Sequence, residues 1–367
     1  MGEPCFQTLT VLSCQHNDLT SLNVNTNTAL TELSCSNNQL TSLDVSTNTA
    51  LTFLSCGDGN QLTSLDVSNN TDLTDLYCAN NQLTSLDVSS NTALTVLTCS
   101  DNQLISLDVS ANTALTYLSC SSNPLTSLDV SANTALTYLR CKNNQLTSLD
   151  VSINTALTNL YCYDNQLTTL DVGTNTALTQ LECYNNSLTN LDVSNNTALT
   201  WLNCANNELT FLNMKNGITD ALTTFDATDN LLTCIETQDP DYATANWTYT
   251  NGNIDEGVTF AVDCAPVSIN SEIIPLKFQL YNTYPNPFNP VTTLRYDLPE
   301  NGHVNITIYD MLGREVKTLI NQAQDAGYRS VIWNATNDYG KPVSAGIYLY
   351  QIQAGKYIST KKMVLLK

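Results

Sequence analysis

The 367-residue chain is poor in charge: Asp, Glu, Lys and Arg make up only 13% of it, about half the share in ordinary soluble domains. Basic residues are scarcest. Lys and Arg total 13 against 34 Asp and Glu, for a formal net charge of −21. That excess argues against a nucleic-acid or anionic-membrane binder, because phosphate-rich partners require a cationic face. Histidine occurs only at His16 and His303, which leaves little material for a histidine-based triad. The sequence contains no G-x-S-x-G, Walker loop, H-E-x-x-H or dinucleotide fingerprint. Carboxylate pairs able to hydrolyse glycosides are not excluded by spacing, but the acidic residues recur uniformly and none stands out. No apolar run approaches the ~18 residues of a membrane span. The start, Met1-Gly2-Glu3-Pro4-Cys5, lacks a secretory n-region and h-region, so the protein is expected to be either cytosolic or already stripped of an export signal.

What is present is uneven. Residues 1–264 hold 27 acidic and 3 basic residues, and residues 265–367 hold 7 and 10, net charges of −24 and +3. The length and this asymmetry together predict two separately built domains.

The first segment is a repeat. One unit runs from Leu30 to Ala50 and the next begins at Leu51, a period of 21. Cys14, Cys35, Cys56, Cys78, Cys99, Cys120, Cys141, Cys162, Cys183 and Cys204 follow that period. Its one longer step comes from an extra residue in Gly57-Asp58-Gly59-Asn60. A degenerate eleventh unit begins at Leu222, with Ala227 in place of the cysteine. The pattern L-x-x-L-x-C-x-x-N-x-L resembles the leucine-rich repeat, with Cys in place of a core Leu, over roughly residues 6–237. The resemblance implies a mostly β solenoid with a parallel concave sheet. Leu33 and Cys35 turn inward from a short strand and Glu32, Ser34 and Ser36 outward, while Leu43 and Val45 reach the same core from the convex side. No single coil buries a core; stacking creates one.

The ladder cysteines are expected to be buried thiols acting as small apolar residues, since local C-x-x-C clusters are absent. Asn38, Asn81, Asn102, Asn123, Asn144, Asn165, Asn186 and Asn207 resemble the family's asparagine ladder and can satisfy backbone groups inside the turn. Asp44, Asp66, Asp87, Asp108, Asp129, Asp150, Asp171 and Asp192 form a third ladder, whose mutual repulsion needs nearby donors. The residues that follow suit Asx-type hydrogen bonds. Calcium is the sharper alternative, but the glycine-rich nonapeptide of calcium-binding β-rolls is missing, so no metal or cofactor is expected. Residues 238–264 read as a C-terminal cap. Because caps of exported leucine-rich-repeat proteins are often closed by a disulfide, the resemblance pairs Cys234 with Cys264. Cys5 is left over, free or deprived of a partner.

The outward positions vary, so they are informative. Tyr117, Tyr138, Tyr161, Tyr163, Tyr184 and Trp201 bunch in coils six to ten, together with Arg140 and Lys142, the only basic residues before Lys215. Aromatic residues with arginine are the composition of binding hot spots. With Tyr77 and Glu182 added, these residues form the expected ligand surface, for an extracellular protein or glycan.

Residues 265–276 read as a linker, and residues 277–367 alternate in the manner of about seven short strands, which suggests an immunoglobulin-like antiparallel β-sandwich. Four words occur in order there: Tyr284-Pro-Asn-Pro-Phe-Asn-Pro290, Ile308-Tyr-Asp-Met-Leu-Gly-Arg-Glu-Val316, Gly346-Ile-Tyr-Leu-Tyr350 and Lys361-Lys-Met-Val-Leu-Leu-Lys367. Together they resemble the type A sorting domain of type IX secretion. The resemblance implies passage through the periplasm, reading by an outer-membrane translocon, and attachment at the cell surface or release. Lys361, Lys362 and Lys367 match its terminal basic motif. Export also requires a signal peptide, so the original start is expected to be missing. The reading is a secreted or surface-attached binding or adhesion protein, not an enzyme. The alternative is a spacer and sorting region of an enzyme whose catalytic domain lay upstream.

Overall fold

A computed structural model describes residues 8–217, 219–264, 275 and 277–366. The expected linker falls almost wholly outside these, as do Cys5 and Lys367. The chain divides into two compact units, residues 1–264 and 265–367.

In the first unit each coil contributes one three-residue strand to an eleven-stranded sheet, from Val11–Ser13 through Tyr117–Ser119 and Tyr138–Arg140 to Thr224–Asp226. Adjacent strands are parallel and in strict register, so Glu32 faces Phe53 and Tyr117 faces Tyr138. Such short strands hold because each coil repeats the same apolar positions. Leu33, Cys35, Leu40, Leu43 and Val45 are all buried, and their equivalents in later coils are buried with them. One hydrophobic core extends through every coil. Near the end a second parallel sheet forms opposite the repeat cysteines, from Asn190–Asp192, Phe211–Met214, Cys234–Thr237 and Thr259–Ala261.

Polar side chains splice coil to coil. Asn123 Nδ2 donates to Cys99 O and Cys120 O, both at 3.1 Å, and its Oδ1 accepts from Leu104 N at 3.0 Å. The same triplet recurs at every ladder asparagine from Asn38 to Asn207, and Asn230 continues it. The extra residue after Cys56 does not break the ladder. Gly59 turns with φ +109°, and Asn60 then donates to Cys35 O and Cys56 O at 3.0 Å. Gly57 is required there, because a Cβ would lie 2.6 Å from Ala79 O. Each coil also turns through a left-handed residue, chiefly Asn or Asp such as Asn37, Asp101 and Asn185, the residue types that tolerate that conformation best after glycine.

A second asparagine ladder was not read from the sequence. Asn48, Asn70, Asn91, Asn112, Asn133, Asn154, Asn175 and Asn196 are fully buried. Asn133 Nδ2 donates to Val109 O at 3.0 Å and to Asn112 O at 2.9 Å, so each amide ties its coil to the one before. Threonine hydroxyls form a third file, in which Thr137 donates to Thr116 O and Thr158 to Thr137 O.

The aspartate ladder finds its donors locally. Asp108 Oδ1 accepts from Ser110 N at 2.9 Å and Asp129 Oδ1 from Ser131 N at 2.8 Å, the expected Asx geometry. Hydrogen bonds from Ser110 and Ser131 hold both carboxyls below the usual aspartate range.

At the far end the core is closed by residues 238–264. Asp239 caps a short helix, Pro240–Asn246, by accepting from Tyr242 N, with Pro240 in its first turn. Ala243, Trp247 and Ile254 join the core, Trp247 lying 4.6 Å from the Phe225 ring and 5.9 Å from that of Phe260. Asn253 mimics one further coil: its carbonyl accepts from Ala227 N and its amide donates to Phe225 O. Cys234 and Cys264 are disulfide-bonded. Lys215 bridges Glu236 and Asp263, both at 2.8 Å.

The second unit is a β-sandwich. One antiparallel sheet pairs Gln279–Leu280 and Gly327–Trp333 on either side of Thr292–Leu298, and the other runs Glu315–Gln324, Gly302–Asp310, Gly346–Ala354, Tyr357–Leu365. Leu294, Tyr296 and Trp333 from the first meet Ile306, Ile308 and Tyr350 from the second in one buried core.

Candidate functional site

Three-residue strands leave two outward positions each, and strict register stacks them in rows. The first row runs Asp75, Val96, Tyr117, Tyr138, Asn159, Gln180, Trp201, and the second Tyr77, Thr98, Ser119, Arg140, Tyr161, Glu182, Asn203. A third row, just past the strands, carries Lys142, Tyr163 and Tyr184.

Within these rows the rings associate in a definite order. Tyr117 and Tyr138 stack at 4.3 Å, and the Tyr161 ring lies 5.3 Å from Tyr138, tilted. Tyr163 and Tyr184 stack at 4.2 Å. Arg140 Cζ lies 5.9 Å from the Tyr161 centroid, and Lys142 Nζ lies 4.9 Å from that of Tyr163, distances at which a cation is attracted to the ring face. Tyr138 is therefore stacked on Tyr117 and flanked by the tilted Tyr161 ring, and Tyr163 neighbours both Lys142 and Tyr184.

A polar chain continues the first cluster. Tyr161 Oη donates to Gln180 Oε1 at 2.7 Å, and Gln180 Nε2 donates to Glu182 Oε1 at 3.2 Å. Asn159 Nδ2 donates to the same Gln180 oxygen at 3.1 Å. Asn159 and Gln180 were not singled out from the sequence. The available signal was their place in the outward row between Tyr138 and Trp201.

The electrostatics follow from crowding. Burial, reinforced by Tyr117 and Tyr161, pushes the Tyr138 hydroxyl well above its ordinary value. Tyr163 is only 8% exposed. Burial would push its hydroxyl up, but hydrogen bonding with Lys142, Tyr184 and Arg140 outweighs it and holds the group below the usual tyrosine range. Lys142 lies over the Tyr163 ring, and the positive charge of Lys142 and Arg140 favours its ionised hydroxyl.

Of the ten residues expected to form the ligand surface, Tyr117, Tyr138, Arg140, Lys142, Tyr161, Tyr163, Glu182 and Tyr184 come together in this way. Tyr77 pairs instead with Phe53 at 5.4 Å, across strands nearer the start. Trp201 is 37% exposed and lies in register between Gln180 and Thr224. Among the described residues no group of three or more His, Cys, Asp or Glu side chains has metal-holding geometry. No described helix is long and apolar enough to cross a membrane.

In the second unit the sequence words turn out to be physically linked. The Tyr284–Pro290 word lies against the last strand: Phe288 N donates to Val364 O at 3.0 Å and Leu366 N to Phe288 O at 2.8 Å. Asn286 Oδ1 accepts from Val364 N at 2.9 Å. In the second word Asp310 closes a turn, accepting from Leu312 N and Arg314 N and pairing with Arg314 Nε at 2.7 Å. Lys361 Nζ donates to Asn282 Oδ1 at 2.9 Å, while the Lys362 side chain is exposed.

Comparison with known proteins agrees with both units. Residues 282–366 match the family described as a secretion system C-terminal sorting domain. Among solved structures, the functional domain of InlJ from Listeria monocytogenes, which includes a cysteine ladder, is 27% identical. That match covers 98% of this chain and 81% of that one with a TM-score of 0.58. The internalin InlF of Listeria monocytogenes is 21% identical over 71% of this chain and 88% of that one, with a TM-score of 0.52. YopM, a leucine-rich effector protein from Yersinia pestis, is 24% identical over 63% of this chain and 65% of that one, with a TM-score of 0.52. The last two show the fold alone. No curated protein matches the chain. The first unit is a leucine-rich-repeat solenoid. The protein as a whole is a leucine-rich-repeat protein with a type IX sorting domain, which marks it as secreted and attached at the cell surface.

Proposed function

We propose that this is a surface-displayed binding protein whose solenoid recognises an extracellular partner through the sheet face of coils six to ten, and that it carries out no catalysis of its own. The observation that supports the reading most is the placement of the aromatics. Among the described residues through the tenth coil no aromatic belongs to the solenoid's hydrophobic cluster, so Tyr117, Tyr138, Tyr161, Tyr184 and the buried Tyr163 are not needed to fill it. They form an ordered surface around the only cations of the first 214 residues. Exposed aromatic patches with arginine are where binding energy concentrates. A protein partner suits this surface better than a glycan. Sugars stack on open ring faces, whereas Tyr117 and Tyr138 stack on each other and the buried Tyr163 stacks on Tyr184. The sorting domain supplies the address, with Lys361, Lys362 and Lys367 as its terminal signal.

The test is a screen of the full chain on arrays of extracellular proteins and glycans beside a variant with Tyr138, Tyr161, Tyr163 and Trp201 all changed to Ser. Binding is expected on the protein array and to weaken at least about 100-fold in the variant, as for loss of several hot-spot residues. Binding that survives all four substitutions would remove this face from consideration.

A further inference from the structure

Resting on that reading of the sheet face, we propose that its ligand is a peptide segment bearing one acidic side chain among neutral residues, whose carboxylate docks between Arg140 and Lys142. The solenoid unit has 27 carboxylates and only three cations. Lys215, the third cation, is paired twice over, with Glu236 and Asp263. Arg140 and Lys142 make no ion pair with any carboxylate among the described residues, where the ion pairs belong to Lys215 and Arg314. In a surface this acidic, two adjacent cations without a carboxylate require an explanation.

The ring arrangement supplies one. Tyr161 and Tyr163 engage the cations through their faces and through the Tyr163 hydroxyl, which positions both without neutralising either. The Nε of Arg140 is buried and has no hydrogen-bond partner. The guanidinium is thus fixed by packing rather than by a counter-ion, and it is the terminal nitrogens, not the buried Nε, that would meet a carboxylate.

Charge also limits what the anion can be attached to. A polyanion laid along the sheet would meet Asp75, Glu182 and Asp226 in the same rows, within a unit of net charge −24, and would be repelled. A lone carboxylate with neutral neighbours meets far less of that repulsion, which the two cations can offset. The Asn159 and Gln180 amides continue the face from Tyr161, and their remaining hydrogen-bonding capacity can bond the backbone of an extended peptide.

The experiment is selection of a random displayed peptide library on the full chain, followed by titration of enriched peptides against the full chain and two variants. The expected result is enriched peptides that share one acidic residue. Changing that residue to its amide should weaken binding by about 10- to 100-fold, the range for a lost charge-assisted hydrogen bond. Arg140→Gln with Lys142→Gln should weaken the acidic peptide by a similar factor and its amide counterpart much less. Both side chains are half-buried, so unchanged circular dichroism is required to show that the variant remains folded. Enriched peptides without an acidic residue that still lose binding on Tyr138→Ser with Tyr163→Ser would overturn the carboxylate site and leave the binding face standing. Peptides indifferent to both variants would overturn both readings. If no peptide is enriched, or heparin or polygalacturonate binds through Arg140 in place of any peptide, the peptide assignment falls, and the array screen judges the face independently.

Discussion

The two units place their aromatic residues in opposite ways. The sandwich buries Trp333, Tyr296, Tyr350 and Phe288 in its centre, whereas among the described residues the solenoid cluster through its tenth coil is built from Leu, Val and Cys with one Met, Met214, and its aromatics lie on the sheet face. The reason is geometric. A sandwich has one interior of variable shape, so large rings interlock there with ordinary close packing. A solenoid repeats one small interior every coil, and a ring in one coil would have no matching space in the next. Phe225 enters the core only where the repeat degenerates and the cap begins. An aromatic residue is therefore weak evidence of function in the second unit and strong evidence in the first.

The comparison is broken most severely by removing interior bulk from each unit in turn. Trp333→Ala in the sandwich and Leu139→Ala in the solenoid each delete a fully buried side chain and should cost about 3–5 and about 2–5 kcal/mol. Calorimetry should show each change lowering one transition and sparing the other. A single transition that shifts with either variant would mean that the units do not unfold separately.

Polar ladders are next. Asn133→Ala removes donors to Val109 O and Asn112 O inside a fully buried site, while those carbonyls keep their backbone donors Asn112 N and Leu115 N, and should cost about 0.5–1.5 kcal/mol for each hydrogen bond lost. In the sandwich, Asn321→Ala removes an exposed bond to His303 and should fall within about 0.5 kcal/mol of no effect. Urea titration of both variants measures the contrast, and equal losses would show that the amide file is not structural.

The thiols allow a pH test that only the solenoid can answer. Burial pushes Cys35, Cys78 and Cys120 up from 9.0 to about 12. Unfolded thiols ionise above 9.0 while the folded ones stay neutral, so solenoid stability is undiminished below 9.0 and falls as pH climbs from there towards about 12. Cys→Ala at these three positions should flatten that decline in melting temperature. Native protein should also resist thiol reagents until denaturant opens it.

The smallest effect is expected at the exposed aspartates. Their carboxyls are held below 3.8 by serine hydrogen bonds, so that contribution is present above 3.8 and lost as pH falls through the lower folded value. Repulsion from Asp108 and Asp150 on Asp129 opposes the shift. Ser110→Ala and Ser131→Ala should therefore shift the acid end of the stability curve only slightly, and added salt should shrink the difference further.

Much of this was legible in one dimension. The 21-residue period, the inward Leu and Cys, the aspartate caps and the alternation after Thr292 all express local rules, because a coil or a strand repeats the chemistry of its own few residues. The asparagines were only half legible. Asn38 carries a recognisable pattern, but Asn48 looks like any polar turn residue until its amide is seen reaching the preceding coil. The surface was legible as a composition and not as an arrangement. Tyr77 and Tyr117 look alike in the chain, yet Tyr77 pairs with Phe53 and Tyr117 with Tyr138.

The sequence by itself therefore determined the solenoid, its cap, the sandwich and the export address. Each arises from periodicity and from words whose residues act on near neighbours. Only the tertiary structure decided that Tyr138 stacks on Tyr117, that Tyr163 stacks on Tyr184 under Lys142, and that Arg140 and Lys142 stand without carboxylate partners among the described residues. Those outcomes depend on rotamers and distances between side chains on different coils, which residue order does not encode directly.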